Sequence, residues 1–263
     1  MTLTISKVFT YDTDAGNYIQ AVEAADGQVL EPATRQAINN FVIGCKQVGI
    51  WNAIKASCIL AGARTLAGAL VPLVGTAPTN VNFVTGDYNR KTGLVGNGST
   101  KYLNSNRNNN ADPQNNRHLA TYANLTSSVN QLFAGGRSAG VGTGAAFLGW
   151  SGTQPQFRCI PDTDTQQVSG SASVGTATLF GFSRNNNSNY TARASGSSAS
   201  IASTSTTPNN INLFVFAQNN QNIGPASLSN ARIAFYSIGE SIDLALLDGR
   251  VTALITAFTA AIP

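Results

Sequence analysis

The 263-residue sequence has little charge: only 11% of its residues are Asp, Glu, Lys or Arg. The hydrophobic share is an ordinary 42%, so Asn, Ser, Thr, Gln and Gly must cover most of the surface. Cytosolic enzymes usually carry more charge, whereas such a composition is typical of extracellular or particle-borne β-proteins. The net charge of +4 comes from dispersed basic residues, which argues against a nucleic-acid-binding surface.

The chain is also poor in the residues that metal sites and catalytic centres use. Its three cysteines, Cys45, Cys58 and Cys159, lack the close spacing of a zinc or redox motif and are predicted to be buried thiols. The one histidine, His118, would have to serve any Ser-His-Asp triad, but its position at the start of a predicted strand favours a structural role. We therefore expect no catalytic residues and no cofactor.

Carboxylates are scarce as well. A glycoside hydrolase needs two of them facing each other across the scissile bond, but the sequence has only three glutamates, and two of these fall in a predicted helical region. The pairs Asp12/Asp14 and Asp162/Asp164 have the spacing of calcium-loop ligands, but no further acids follow at a loop spacing. Turns stabilised by the Asp side chains are the favoured interpretation, and a calcium site is the alternative.

Long apolar runs and repeats are absent too. No run of about 18 apolar residues is present, and the N-terminal segment lacks the apolar centre of a signal peptide. We therefore expect neither membrane insertion nor secretion through a signal peptide. The lack of a tandem repeat argues against a solenoid or propeller.

The N-terminal part has helical periodicity. Apolar residues at three- and four-residue steps predict helices over residues 14–25 and 32–49, and similar spacing predicts that residues 50–60 continue the helical region. Residues 61–80 are rich in Gly, Pro and small apolar residues, which predicts an extended connector lying on a partner surface. Residues 1–78 are thus expected to form a helical leader with an apolar connector, used for assembly or docking.

Beyond residue 80 the pattern changes to short β-like runs separated by polar turns. Ten strands are predicted, at residues 81–84, 93–103, 118–123, 131–134, 145–150, 156–160, 177–183, 189–194, 211–218 and 231–238. Asn-rich segments at 104–116, 185–189 and 219–222 predict loops, and the Gly-rich run 135–144 predicts a hairpin loop. So many short strands indicate a sandwich.

The last segment is predicted to be a helix, with apolar residues at helical spacing from Leu244 to Phe258 and Ser241 as its cap. It could cover a sheet edge or pack on the N-terminal helices. We favour the second arrangement because both helical surfaces are unusually apolar.

Several stretches resemble a known family. Gly93-Leu-Val-Gly-Asn-Gly-Ser-Thr-Lys-Tyr-Leu103 resembles the opening strand pair of concanavalin A-like, laminin G-type sandwiches found in many phage structural proteins. Ala231-Arg-Ile-Ala-Phe-Tyr-Ser-Ile-Gly-Glu-Ser-Ile242 resembles their closing strand, and residues 21–27, 35–41 and 49–51 resemble the helical leader of tail or virion proteins. The resemblance implies a mainly β fold, an antiparallel jelly-roll β-sandwich over residues 79–263 with an N-terminal helical region and a C-terminal helix.

The same resemblance implies a non-enzymatic bacteriophage virion protein on the outer surface of the particle, on the tail rather than the head. The first hypothesis is a tail fibre or tail-associated adhesion component. The second is a head decoration or another purely architectural protein, and a glycan hydrolase ranks last because the carboxylate pair is missing. The implied partners are other virion proteins, further copies of the chain, with a trimer expected from fibre proteins, and a host surface glycan.

Glycan contact would need exposed aromatic faces beside amide side chains. Trp150, Phe157 and Tyr190, together with the Asn-rich loops, are the candidates by residue type. The alternative for all three is a place in the core.

Overall fold

A computed structural model describes residues 10–138, 143–162, 167–168 and 172–263. The described chain has three layers: helices, an eight-stranded sheet and a nine-stranded sheet. The helices are α1 (Thr13–Asp26), α2 (Pro32–Gln47), α3 (Leu66–Ala69) and α4 (Leu244–Ala261). This architecture confirms the mainly β sandwich with an N-terminal helical region and a C-terminal helix.

Seventeen strands are described along the chain. They are β1 (Ile54–Ile59), β2 (Thr79–Val81), β3 (Tyr88–Asn89), β4 (Gly93–Val95), β5 (Tyr102–Asn108), β6 (Arg117–Asn124), β7 (Asn130–Arg137), β8 (Ala146–Ser151), β9 (Pro155–Cys159), β10 (Gln167–Val168), β11 (Ala177–Arg184), β12 (Asn189–Ala194), β13 (Ser197–Ala202), β14 (Asn212–Val215), β15 (Gln218–Asn220), β16 (Gly224–Ala226) and β17 (Arg232–Gly239).

The two sheets are almost entirely antiparallel. The eight-stranded sheet has the order β13-β12-β11-β6-β17-β4-β3, with β1 also paired to β17. The nine-stranded sheet has the order β10-β9-β8-β7-β14-β5-β2, and β15 pairs with β16 and, in parallel, with β7. The sandwich core lies between the sheets, where the rings of Phe133 and Phe180 meet edge to face at 4.8 Å.

The helices cover the other face of the eight-stranded sheet. Phe41 of α2 packs against Phe235 of β17 with 5.8 Å between ring centroids, and α4 lies against α2 and β11. The expectation that α4 packs on the N-terminal helices is confirmed. Its predicted cap is wrong: Asp243 accepts hydrogen bonds from two backbone amides of α4, while Ser241 donates to Asn116.

Residues 50–60 do not continue the helical region. They form a 3₁₀ helix, Trp51–Ala53, and then β1, which pairs with β17 along its whole length. The prediction failed because β1 is buried on both faces: Ile59 packs in the helix-side core and Cys58 in the sandwich core. A strand apolar on both faces has no period-two pattern. The predicted leader of residues 1–78 therefore contributes a strand to the sandwich.

Most other predicted strands are present with shifted ends. The predicted loops 104–116 and 219–222 begin with residues of β5 and β15, respectively. The sequence did not predict β13, because it is an edge strand of mostly exposed Ser and Ala with no apolar alternation. Residues 135–144 span the end of β7 and the turn before β8, as a hairpin requires, but residues 139–142 lie outside the described chain.

By length and composition alone, α4 could cross a membrane, since its mean hydropathy is 1.4 over 18 residues. Core helices of folded domains meet the same criterion. Its Asp248 forms an ion pair with Arg193 of β12 at 2.8 Å, and its apolar face packs on the protein.

Candidate functional site

The three residues predicted to contact glycan lie in the sandwich core. Trp150, Phe157 and Tyr190 are 4%, 0% and 1% exposed, so none of their rings can stack on a sugar at the surface. Side chains alternate between the two faces of a strand, and these three lie on the face that points into the core. The expectation is corrected: the outward residues of β9 are the neighbours of Phe157, Gln156 and Arg158.

The contacts of the one histidine indicate a structural role. His118 is buried, and its Nδ1 lies 2.5 Å from the carbonyl oxygen of Glu240. Because a carbonyl only accepts, Nδ1 carries the proton, and Nε2 accepts from the Ser237 hydroxyl at 2.7 Å. This pair has the polarity of a catalytic dyad, but both side chains are inaccessible to a substrate. Burial lowers the pKa of His118 to about 4.

The acidic pair near the N-terminus binds a cation that the chain itself supplies. The Lys46 ammonium lies 2.7 Å from Asp12 and 2.6 Å from Asp14, and the Asp12 side chain caps α1. The hydrogen bond from Lys46 lowers the pKa of Asp12. In the second pair, Asp164 lies outside the described chain. Among the described residues no cluster of His, Cys, Asp or Glu could hold a metal ion.

The cysteines are buried free thiols, as predicted. Desolvation raises the pKa of both Cys45 and Cys58 to about 12, which keeps the sulfur protonated and unreactive. No described cysteine thus resembles a nucleophile.

A groove of about 420 Å³ lies beside the N-terminus of α4. Its polar lining is already used inside the fold. The Ser183 hydroxyl accepts from the backbone of Ile242 at 2.9 Å, Ser241 binds Asn116, and Asp243 caps α4. These groups close the junction between sheet and helix, so they offer few free hydrogen bonds to a ligand.

A second groove of about 330 Å³ contains the half-buried Trp51. The indole Nε1 donates to Asp14 at 3.1 Å, and the Lys46 ammonium lies 5.7 Å from the ring centroid. The ring and both charges are thus engaged with one another.

A third cavity, of about 140 Å³, lies on the outer face of the nine-stranded sheet. We call it the arginine pocket. Its lining consists of Asn130, Leu132, Arg137, Phe147, Gln156, Arg158, Gln218 and Ser227.

Strand register builds the centre of this pocket. Arg158 of β9, Phe147 of β8, Gly135 of β7 and Gln218 of β15 are successive cross-strand partners, so they form one row on one face of the sheet. The Arg158 guanidinium lies 5.1 Å from the Phe147 ring centroid. A Cβ atom at Gly135 would lie 2.3 Å from the Cβ of Phe147, so only glycine fits between the strands at this position.

The donors in the arginine pocket that have no hydrogen-bond partner within the described chain include Nε2 of Gln218, a residue 4% exposed, and Nε of Arg137. A buried donor without a partner costs about 1–3 kcal/mol, which a ligand oxygen would recover. Gln156, by contrast, donates to Asn130 and to the carbonyl of Trp150 at 3.0 and 2.9 Å, and so fixes the pocket wall.

The described lining can form hydrogen bonds to a ligand. The described lining offers guanidinium and amide groups over Phe147 and Leu132, and it contains no carboxylate for general acid or base chemistry. A pocket with a small apolar floor and a few convergent donors can orient an oxygen-rich ligand.

The sequence reasoning missed Arg137, Arg158 and Gln218. The signal was present in the run Gln156-Phe157-Arg158, where a polar residue stands on each side of a core aromatic. Strand parity then turns the two polar residues outward. Arg137 lies in the Gly-rich run 135–144, for which the sequence predicts a hairpin loop.

The sequence matches no protein-family model and no curated protein. Solved structures do match it. A mutant of Trypanosoma rangeli sialidase displaying trans-sialidase activity aligns with a TM-score of 0.52 and 10% identity, over 92% of this chain and 38% of that chain.

The binding domain of botulinum neurotoxin serotype D aligns with a TM-score of 0.51 and 10% identity, over 77% of this chain and 50% of that chain. NanB sialidase from Streptococcus pneumoniae aligns with a TM-score of 0.42 and 14% identity, over 52% of this chain and 24% of that chain. This chain thus spans from about a quarter to a half of the length of these structures. The first two likenesses show a lectin-like β-sandwich fold.

Proposed function

We propose that the chain is a non-enzymatic structural protein of a bacteriophage particle, a tail fibre or tail-associated adhesion component. Its sandwich binds a host surface glycan in the arginine pocket, and its other faces contact virion proteins and further copies of the chain. It resides on the outer surface of the virion, on the tail rather than the head.

The arginine pocket carries the binding part of this proposal. Gln218 and Arg137 present hydrogen-bond donors that the fold leaves without partners, beside the apolar surfaces of Phe147 and Leu132. Sugars carry hydroxyl oxygens that can accept hydrogen bonds from these donors. The phage assignment is supported by the resemblance of residues 93–103 and 231–242 to phage sandwiches and by the low-charge, amide-rich surface.

The non-enzymatic part has its own support. The described pocket lining lacks carboxylates, and the Ser237–His118 pair is buried. Among the structural neighbours, sialidases are enzymes and a toxin binding domain is a binding module, and identity near 10% transfers neither activity.

Two measurements test this function. The full chain is applied to an array of bacterial surface saccharides, with product analysis by mass spectrometry. We expect saturable binding without cleavage; released products would overturn the non-enzymatic proposal, and no saccharide binding would overturn adhesion.

The location is tested by immunogold labelling of phage particles from a culture that expresses the chain. Label on tails is the expected result. Label on heads would favour the decoration alternative, and particles without label would overturn the virion proposal.

A further inference from the structure

We infer that the arginine pocket selects a saccharide that carries a carboxylate, and that Arg137 and Gln218 bind this group. The inference rests on the proposed glycan-binding function and specifies the class of ligand.

Arg137 has no acidic partner within the described residues. Five others form ion pairs with carboxylates: Arg35, Arg64, Arg90, Arg107 and Arg193. Arg137 is half-buried, and its Nε has no hydrogen-bond partner. A buried guanidinium nitrogen without a hydrogen-bond partner is costly, and a ligand carboxylate supplies two matching oxygens for the planar fork of Arg137.

Gln218 adds a neutral donor on the neighbouring strand. β15 runs parallel to β7, with Gln218 paired to Gly135 and Asn220 paired to Arg137. Gln218 therefore lies on the same face as Arg137, one step along the ladder. Its Nε2 is buried without a partner and lines the same cavity. A planar carboxylate between the two side chains would accept from both donors.

The remaining lining fits a sugar ring that bears this carboxylate. None of the described lining residues is an acid, so nothing in the described lining repels an anion. Phe147 and Leu132 form the floor of the pocket and are only 5% and 4% exposed, so the ligand contacts chiefly the polar groups. The volume of about 140 Å³ is below the usual range for whole drug-sized ligands, so the pocket accommodates one acidic sugar of a longer chain.

Matched saccharide pairs on the unmodified full chain test the inference. The pairs are oligogalacturonide with its methyl ester, and sialyllactose with lactose, measured by calorimetry at low and high salt. We expect at least one acidic member to bind roughly tenfold or more tightly than its neutral partner, with weaker binding at high salt. Equal affinity for the two members of every pair that binds would overturn the inference and leave glycan binding intact.

Variants assign the selectivity to the pocket. Arg137→Met keeps most of the side-chain length but removes the fork, and we expect it to weaken acidic binding roughly ten- to hundredfold. The affinity of Arg137→Lys for the acidic saccharide should lie between that of the unmodified chain and that of Arg137→Met. Gln218→Ala should lower this affinity severalfold. Lys91→Met, with the same charge change in the β3–β4 turn, should bind like the unmodified chain.

Thermal unfolding of each variant separates lost binding from lost folding. Unchanged acidic binding in a folded Arg137→Met variant would overturn the assignment. Failure of every saccharide, acidic or neutral, would overturn the glycan-binding proposal along with it.

Discussion

Glu31 and Arg90 join the helical layer to the segment between β3 and β4 through a two-pronged ion pair. The guanidinium nitrogens of Arg90 lie 3.1 and 2.7 Å from the two carboxylate oxygens of Glu31, just before α2, and Arg64 approaches the same carboxylate at 3.1 Å. The hydrogen bond from Arg90 lowers the pKa of Glu31 to about 2.

The free energy of unfolding should therefore fall in acid, because protonation of Glu31 breaks its ion pair with Arg90. The folded pKa lies below the unfolded value of 4.5, so the contribution is complete above pH 4.5 and is lost as pH falls towards 2. Its size is up to about 3 kcal/mol of unfolding free energy. Glu31→Gln should remove that part of the pH dependence in urea unfolding between pH 2 and 4.5.

Glu240→Gln is the matched control, because the Lys55–Glu240 pair is more exposed, with side chains 35% and 39% accessible. We expect it to retain the acid dependence of the unmodified chain. A Glu31→Gln variant with an unchanged pH profile would contradict the prediction.

His118 should make the chain less stable at mildly acidic pH. The buried imidazole has a pKa of about 4, below the ordinary value of 6.5, so the unfolded chain binds more protons between these values. The unfolding free energy should fall by about 2–3 kcal/mol as pH drops from 6.5 towards 4. His118→Gln should lose this part of the slope, whatever its stability at pH 7.

Because His118 is the one histidine of the chain, its NMR resonances are unambiguous. They should show no titration in the folded protein between pH 7 and 5.5. A midpoint near 6.5 would show that the ring is solvated and would refute the prediction.

Periodicity predicted the helices well because each has one buried face. α1 buries Tyr18, Ile19 and Val22, which recur at helical spacing, and α1 ends at Asp26 before Gly27, whose φ of 66° suits a left-handed cap. The same logic cannot predict β1, which packs between two cores. Sequence alone does not show that a second core exists on the outer face of a sheet.

The arginine pocket was beyond sequence reasoning for a related reason. Arg137 and Gln218 are 81 positions apart in the sequence, and only the parallel β7–β15 pairing puts them on one face. Parallel neighbours of this kind leave no local pattern. The prediction that Trp150, Phe157 and Tyr190 contact glycan was wrong because these side chains face the core. The sequence does not show which face of each strand points inward.

Gln131 should be a strong stability determinant although it is polar. Its Oε1 accepts from the Ser229 hydroxyl at 2.6 Å and from the backbone amides of Asn230 and Ala231 at 3.1 Å each. Gln131→Ala removes this acceptor from the Ser229 hydroxyl and the Asn230 amide, while the Ala231 amide still donates to Ser229 Oγ at 3.0 Å, so we expect a loss of about 3 kcal/mol in urea unfolding.

Gln36→Ala is the control, because the Gln36 hydrogen bond to Asn40 is exposed and its loss should cost under about 0.5 kcal/mol. Similar losses in the two variants would show that the Gln131 contacts contribute little.

Removal of residues 1–78 should abolish the folded monomer, because the sandwich depends on the segment before it. The deletion takes away β1, which pairs with β17, and α2, whose Phe41 packs on Phe235. Phe235 is fully buried in the intact chain, and the loss of β1, α1 and α2 would leave a large apolar face in water.

We expect residues 79–263 to aggregate when expressed alone and to become soluble when residues 1–78 are co-expressed, with the two fragments purifying together. Light scattering of each preparation measures the outcome. If residues 79–263 alone gave a folded monomer, the first 78 residues would be a separable docking module and the shared core would contribute little to stability. The intact chain, handled in the same way, shows whether oligomers form through other surfaces, because its helices already cover the eight-stranded sheet.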